Sequence, residues 1–246
     1  MTGNSIPDLS SFAPGGIAAV IGSSGAIGRE IADALQASGH FAAVLRLSRS
    51  GAGEVALDLT DEASVAGAAA ATSEAAGDLP LRLVFDATGL LHEGGIQPEK
   101  SWRQIDPAAM ARVLAINTIG PALLMKHFLP LLAPQGKAVF ATLSARVGSI
   151  GDNHLGGWYS YRAAKAALNQ LVRCASIELA RKRPESLCIA LHPGTVESRL
   201  SEPFARTGLT VRPPHEAARL LLQTINTLTA AQTGSFHDAD GKEILW

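Results

Sequence analysis

The chain has 246 residues, 47% of them hydrophobic and 17% charged, with a formal net charge of −1. That length buries a full core, the composition is that of an ordinary globular protein, and the near-zero charge excludes a general pull toward nucleic acid or an anionic membrane. Cys174 and Cys188 lie in apolar runs and read as reduced, buried thiols with no metal spacing; with no signal-like start and no apolar run of roughly 20 residues, a cytoplasmic protein without a membrane partner is expected.

In chain order, residues 1–15 are polar and broken by Pro7, Pro14 and Gly15, which predicts a loose arm ahead of one domain over 16–246. Ile17 to Ile21 is a buried strand, Gly22 to Gly28 a glycine-rich turn, and Ile27, Ile31, Ala34 and Leu35 mark a helix stopped by Gly39. Strands follow at Phe41 to Leu47 and Glu54 to Leu57, a helix at Asp61 to Ala71, and a strand at Leu81 to Phe85. Pro107 to Leu132 reads as one long helix bent at Pro121. A strand at Lys137 to Leu143, a helix from Tyr161 to Glu178, a strand at Leu187 to Leu191, a helix at Glu216 to Leu228 and a short strand at Ser235 to His237 complete the pattern. Alternating strands and helices predict an α/β fold, a doubly wound parallel sheet with helices on both faces.

The first strand, glycine turn and helix make a phosphate site: glycines let the backbone approach, and a helix N-terminus offers unpaired N–H groups. The spacing Gly22, Gly25, Gly28 differs from the common dinucleotide fingerprint. After the second strand, an acid would accept hydrogen bonds from a ribose 2′-hydroxyl and favour NAD. Here the chain reads Arg46-Leu47-Ser48-Arg49-Ser50. Arginine suits a phosphate, so NADP(H) is expected over NAD(H), with Arg49 and Ser48 or Ser50 on the 2′-phosphate; a solvated basic turn is the bland alternative.

Tyr161 and Lys165 stand one helical turn apart, on one face. A phenol beside an ammonium is a proton-transfer pair, since a nearby positive charge lowers the phenol pKa; the shift needed near neutrality is roughly three units, one lysine is an incomplete source of it, and a cationic cofactor is expected to help. Only Tyr161 has this partner, because Ala163 follows Tyr159 at the same spacing.

Together these residues resemble the short-chain dehydrogenases/reductases, and within them the C-factor-like branch. The resemblance runs from Ile17 to Trp246 and rests on the Gly22–Gly28 turn, Asp58, Asn117, Tyr161 with Lys165, and Pro193-Gly194, in that order. It implies a Rossmann sheet of about seven strands in the order 3-2-1-4-5-6-7 and hydride transfer between a nicotinamide and a carbonyl or alcohol. Tyr161 would be the acid/base. Lys165 would hold the ribose and lower the Tyr161 pKa. Asn117 would hold a water in the proton relay, and Asp58 would contact adenine. The resemblance also places Ser23, Ser24, Ala26, Ile27, Leu59, Ala87, Thr88, Gly89, Pro193, Gly194, Val196 and Ser198 along the cofactor, and residues 199–214 in a substrate lid.

The chain departs from the family at three places. Ala26 stands where the family turn has its middle glycine, and the fourth strand ends Asp86-Ala87-Thr88-Gly89 without the usual asparagine. Counting back three residues from Gly148 reaches Ala145 instead of a serine; Ser144 is the expected partner of the substrate oxygen, Ser149 the alternative, and without either Tyr161 polarises it alone. His92, His154 and Trp158 flank the expected cleft. A dinucleotide-binding regulator with little turnover is the competing function; a sugar-nucleotide epimerase would need a larger C-terminal region. Two helices apolar on more than one side, 107–132 and 161–179, predict a homodimer or homotetramer.

Overall fold

The structure, a computed structural model, describes residues 7–49, 55–198, 201 and 211–246. Ser50 and the greater part of the expected lid therefore lie outside the described residues. The order is β1 (Ile17–Ile21), α1 (Ala26–Ser38), β2 (Ala43–Ser48), β3 (Val55–Ala56), α2 (Glu62–Ala76), β4 (Leu81–Asp86), α3 (Pro107–Leu114), a π-helical turn (Ala115–Ile119), α4 (Gly120–Phe128), β5 (Ala138–Leu143), α5 (Tyr159–Lys182), β6 (Ser186–His192), β7 (Thr195–Val196), β8 (Val211–Arg212), α6 (Pro214–Thr227) and β9 (Phe236–Asp238). One seven-stranded parallel sheet runs β3-β2-β1-β4-β5-β6-β9. This is the expected 3-2-1-4-5-6-7 order, because among the described residues β7 and β8 pair with each other outside this sheet and β9 is the sheet's seventh strand.

β1 and β5 are buried at every position, as strands covered on both faces must be. On one face Val65 of α2, Leu124 and Phe128 of α4, and Leu168 and Val172 of α5 fill the core. On the other, Ile31 and Leu35 of α1 meet Leu221, Leu222 and Ile225 of α6. Local chemistry sets the helix ends. Gly39, in the left-handed region at φ 61°, closes α1. Asp61 caps α2, and Asp106 followed by Pro107 opens α3.

Four expectations change. The long helix is two helices joined by a π-turn in which Gly120 N–H reaches Ala115 O, where the sequence predicts one bent helix. Pro121 has no N–H to give the Asn117 carbonyl, so the ladder loosens just before it. The run Pro107–Leu131 also reaches membrane-span length, 25 residues with mean hydropathy 1.5, against the expectation of none. It packs against α2 and α5 and serves as a core helix here. Cys188 is buried, and burial pushes its thiol up to about 12, but Cys174 is exposed on α5.

The fourth change concerns the arm, which is docked from Pro7 onward instead of loose. Leu9 and Phe12 are buried, and the Phe12 ring meets Phe41 edge-on at 5.7 Å. Lys137 Nζ donates to Ser11 Oγ at 2.9 Å and to the carbonyls of Ile225 and Leu228 at 2.7 and 2.6 Å. One ammonium thus caps the end of α6 and ties the arm to it.

Candidate active site

The glycine turn is built for close approach. Gly22 has φ +77°, and a Cβ on Gly28 would stand 2.2 Å from Gly22 O, so α1 can start this close to β1 only with glycine there. The first intrahelical bond of α1 runs from Arg29 N to Gly25 O at 3.0 Å. The N–H groups of Ala26, Ile27 and Gly28 therefore have no partner within the helix and form the open, partly positive end that suits a pyrophosphate. Ser23 differs from its expected role: it is buried and its hydroxyl donates to Leu47 O at 3.1 Å, holding the turn to the end of β2.

A cleft of about 230 Å³ opens beside this turn. It is lined by Gly22, Ser24 and Gly25, by Ser48 at the end of β2 and Arg49 after it, by Asp58 and Leu59, and by Ala87, Thr88 and Gly89 after β4. Arg46 points elsewhere, with its guanidinium 2.6 Å from Asp33 Oδ1 of α1, which leaves Arg49 as the basic-turn residue in the cleft. Hydrogen bonds from Thr60, then the charges of Arg49 and Arg112, hold Asp58 below the usual carboxylate range despite some burial.

The proton-transfer residues meet past the far end of that cleft. A Cβ on Gly89 would lie 3.4 Å from Asn117 Oδ1 and 3.8 Å from Lys165 Nζ, so the end of β4, the π-turn and α5 converge there. Asn117 is fully buried. Its Oδ1 accepts from Leu90 N at 3.0 Å, and its Nδ2 donates to Leu90 O and Val113 O at 2.7 and 3.0 Å. Thr118 Oγ1 donates to Ala164 O at 2.8 Å, tying the π-turn to α5.

Lys165 Nζ donates to Leu143 O at 2.8 Å and sits 5.9 Å from the centre of the Tyr161 ring. Burial lowers the Lys165 ammonium to about 8 against the opposing pull of Asp86. Asp86 is itself raised by burial, opposed by hydrogen bonds from Thr88 and Thr142. Burial pushes the Tyr161 phenol up, and Lys165 alone does not bring it down. Desolvation of the anion outweighs a cation that stands over the ring and is already bonded to a carbonyl.

Both candidate serines are engaged. Ser144 is buried, and its hydroxyl donates to Asn169 Oδ1 of α5 at 2.6 Å. Ser149 is buried too, its Oγ accepting from Asp152 N at 3.2 Å. Ala145, between them, is the partly exposed residue of the three. Pro193 and Gly194 follow β6, and Val196 lies buried in β7. Ser198 forms a turn with Ser201, the hydroxyl groups 3.1 Å apart. Residues 193–198 lie outside the cleft.

The cleft has further walls that no sequence motif pointed to: Arg112, Ile116, Leu90, Thr60 and Glu93. Arg112 and Ile116 are one turn apart on the stretch leading to Asn117, and that spacing is the available signal. Arg112 bonds Glu93 at 3.2 Å.

A glycine turn opening α1 beside β1, a basic residue after β2 and a buried Tyr-Lys-Asn set on the same sheet define a dinucleotide-binding site of oxidoreductase type. Residues 16–207 match the family model described as short chain dehydrogenase; the chain belongs to the short-chain dehydrogenase family. It is 34% identical over 195 residues to 1-hydroxy-2-glutathionyl-2-methyl-3-butene dehydrogenase of Rhodococcus sp. (strain AD45), covering 78% of this chain and 80% of that one. It is 36% identical over 143 residues to C-signal of Myxococcus xanthus, covering 58% and 81%. Its fold is similar to NADPH-bound carbonyl reductase from chicken fatty liver, with a TM-score of 0.82, 27% identity, and 94% and 98% of the chains covered.

Proposed function

We propose that the chain transfers a hydride between NADP(H) and a carbonyl or alcohol, with Tyr161 as general acid/base. The observation that carries this is the meeting of Gly89, Asn117 and Lys165 beside Tyr161, past the end of a cleft whose outer part holds Arg49 and Ser48. The α1 N-terminus and Gly22, Ser24 and Gly25 would hold the pyrophosphate, Asp58 and Leu59 the adenine, Arg49 a 2′-phosphate, and Lys165 the nicotinamide ribose. The bound nicotinamide supplies or accepts the hydride.

In the reduction direction Tyr161 gives its proton to the carbonyl oxygen as that oxygen takes up charge. A phenol that burial keeps protonated suits this half of the reaction. The Asn117 amide is already committed to Leu90 and Val113, so a relay water would meet the Asn117 carbonyl, which Pro121 cannot cap. With the Ser144 hydroxyl given to Asn169, Tyr161 polarises the substrate oxygen alone. The kinship with the Rhodococcus dehydrogenase and the chicken carbonyl reductase supports the same chemistry. On this reading residues 16–246 act as one cytoplasmic dinucleotide-binding domain.

A regulatory role with little turnover is the second reading, favoured by the likeness to C-signal and by the engaged Ser144 hydroxyl. A panel of aldehydes and ketones followed by NADPH absorbance separates the two. Oxidation of NADPH by some panel members is expected, and none at all alongside tight NADPH binding would favour the regulator. We also propose a homodimer or homotetramer through α4 and α5, where Ile119, just before α4, and Ile177 of α5 are exposed and a groove is lined by Met125, Leu171 and Cys174. Sedimentation is expected to give at least twice 25.5 kDa; a monomer at micromolar concentration refutes it.

A further inference from the structure

The helix that carries Tyr161 begins badly by its own means. Its N-cap is Trp158, whose side chain makes no cap bond. Among the described residues, Trp158 is the one non-glycine with positive φ, 53°, a conformation that a bulky side chain adopts only when its surroundings hold it. What holds it comes from the segment after β4. Glu99 O accepts from Trp158 N at 2.5 Å. The Glu99 carboxylate is buried, 5% exposed; Oε2 accepts from Ser160 N at 3.1 Å and Oε1 accepts from the Ser160 hydroxyl. The Trp158 ring in turn meets the Tyr161 ring edge-on at 6.2 Å.

We propose that Glu99 is a positioning residue for the acid/base: its carboxylate, 61 residues away in sequence, replaces the missing N-cap of α5 and fixes the first turn, where Tyr161 sits. The inference rests on the reading of Tyr161 as acid/base. A carboxylate suits the N-terminal end of a helix on charge and satisfies an N–H that the helix leaves unpaired. Lys165 lies a turn further in, bonded to Leu143 O, so loosening the first turn displaces Tyr161 and leaves the cofactor grip of Lys165 in place. The signature is therefore a loss of turnover without a loss of cofactor binding, which a general weakening of the fold does not produce.

The test compares Glu99→Ala, Glu99→Gln and Ser160→Ala with wild type in three measurements. These are turnover with NADPH and 4-nitrobenzaldehyde or another panel carbonyl that the wild type reduces, NADPH affinity by fluorescence, and amide hydrogen exchange. Glu99→Ala is expected to lower kcat by about 10–100-fold, the scale of a small misplacement of a reacting group, with NADPH affinity unchanged. Exchange should quicken at 158–162 and not at 166–180. Glu99→Gln keeps an oxygen for Ser160 N and should recover the greater part of both; Ser160→Ala, which keeps its N–H, should fall between.

Unchanged kcat and exchange in Glu99→Ala overturn the proposal, and so does a parallel loss of NADPH affinity with faster exchange throughout. If Glu99→Ala fails to fold, Glu99→Gln and Ser160→Ala decide: wild-type kcat and exchange in Ser160→Ala together with a global loss in Glu99→Gln overturn it. A wild type that reduces no carbonyl defeats the oxidoreductase reading separately, and the exchange pattern then decides the clamp alone.

Discussion

Tyr161→Phe is expected to lower turnover by about 10²–10⁴-fold, the usual worth of a positioned acid/base. The substitution removes the transferable proton and keeps the ring, which is nearly buried and packed against Trp158, so the fold and the start of α5 should survive. NADPH affinity should change little, because the phenol is not a phosphate contact. Tyr159→Phe is the control. Tyr159 opens α5, two residues earlier and so on another face, and a turn beyond it stands Ala163 in place of a lysine. Its variant should stay near wild-type turnover. Tyr161→Phe that keeps full turnover, with matched NADPH binding, overturns the assignment and the enzymatic reading built on it.

The sheet was legible because its central strands are short, mostly apolar, buried runs that alternate with helices along most of the chain, a pattern that tolerates errors of one or two residues at each end. Position within the fold was harder to read. Leu9 and Phe12 look incidental in a polar stretch, and only the pocket formed with Phe41 and the end of α6 makes them core residues. The break in the long helix was half visible: Pro121 marked it, but a proline does not say whether the helix will kink or open into a π-turn.

At the site, residues named from local spacing stand together: Gly22, Gly25, Arg49 and Asp58 line one cleft, and Lys165 lies 5.9 Å from the centre of the Tyr161 ring. What spacing does not show depends on partners distant in sequence. Counting along a loop gives Ser144 but contains no trace of Asn169, 25 residues on, which takes its hydroxyl. The Tyr161 shift depends on the whole fold in the same way. Lys165 one turn ahead is a local fact and argues for a lowered pKa, whereas burial is a property of the whole fold and reverses the sign. Glu99 had no signal at all, because a carboxylate that caps a helix from another segment obeys no spacing rule.

Arg49→Ala is expected to weaken NADPH binding by about ten- to a hundredfold and to leave NADH nearly unchanged, since hydrogen bonds to a charged partner are worth about 1.5–3 kcal/mol. The structure narrows which arginine to remove. Arg46, in β2 two residues before Ser48, is turned onto Asp33 at 2.6 Å, while Arg49 lines the cleft with Ser48. Arg46→Ala should therefore leave the NADPH-to-NADH ratio where it is. The effect of Arg49→Ala should shrink as salt rises, because a partly exposed guanidinium–phosphate pair is screened. Arg112 adds a second positive charge to the same end of the cleft, but Glu93 already neutralises it at 3.2 Å, so it should not substitute for Arg49. Paired titrations of wild type and both variants with NADPH and NADH decide the matter. If the wild type binds NADH as tightly as NADPH, Arg49 does not read a 2′-phosphate, and the preference assigned to this basic turn is wrong.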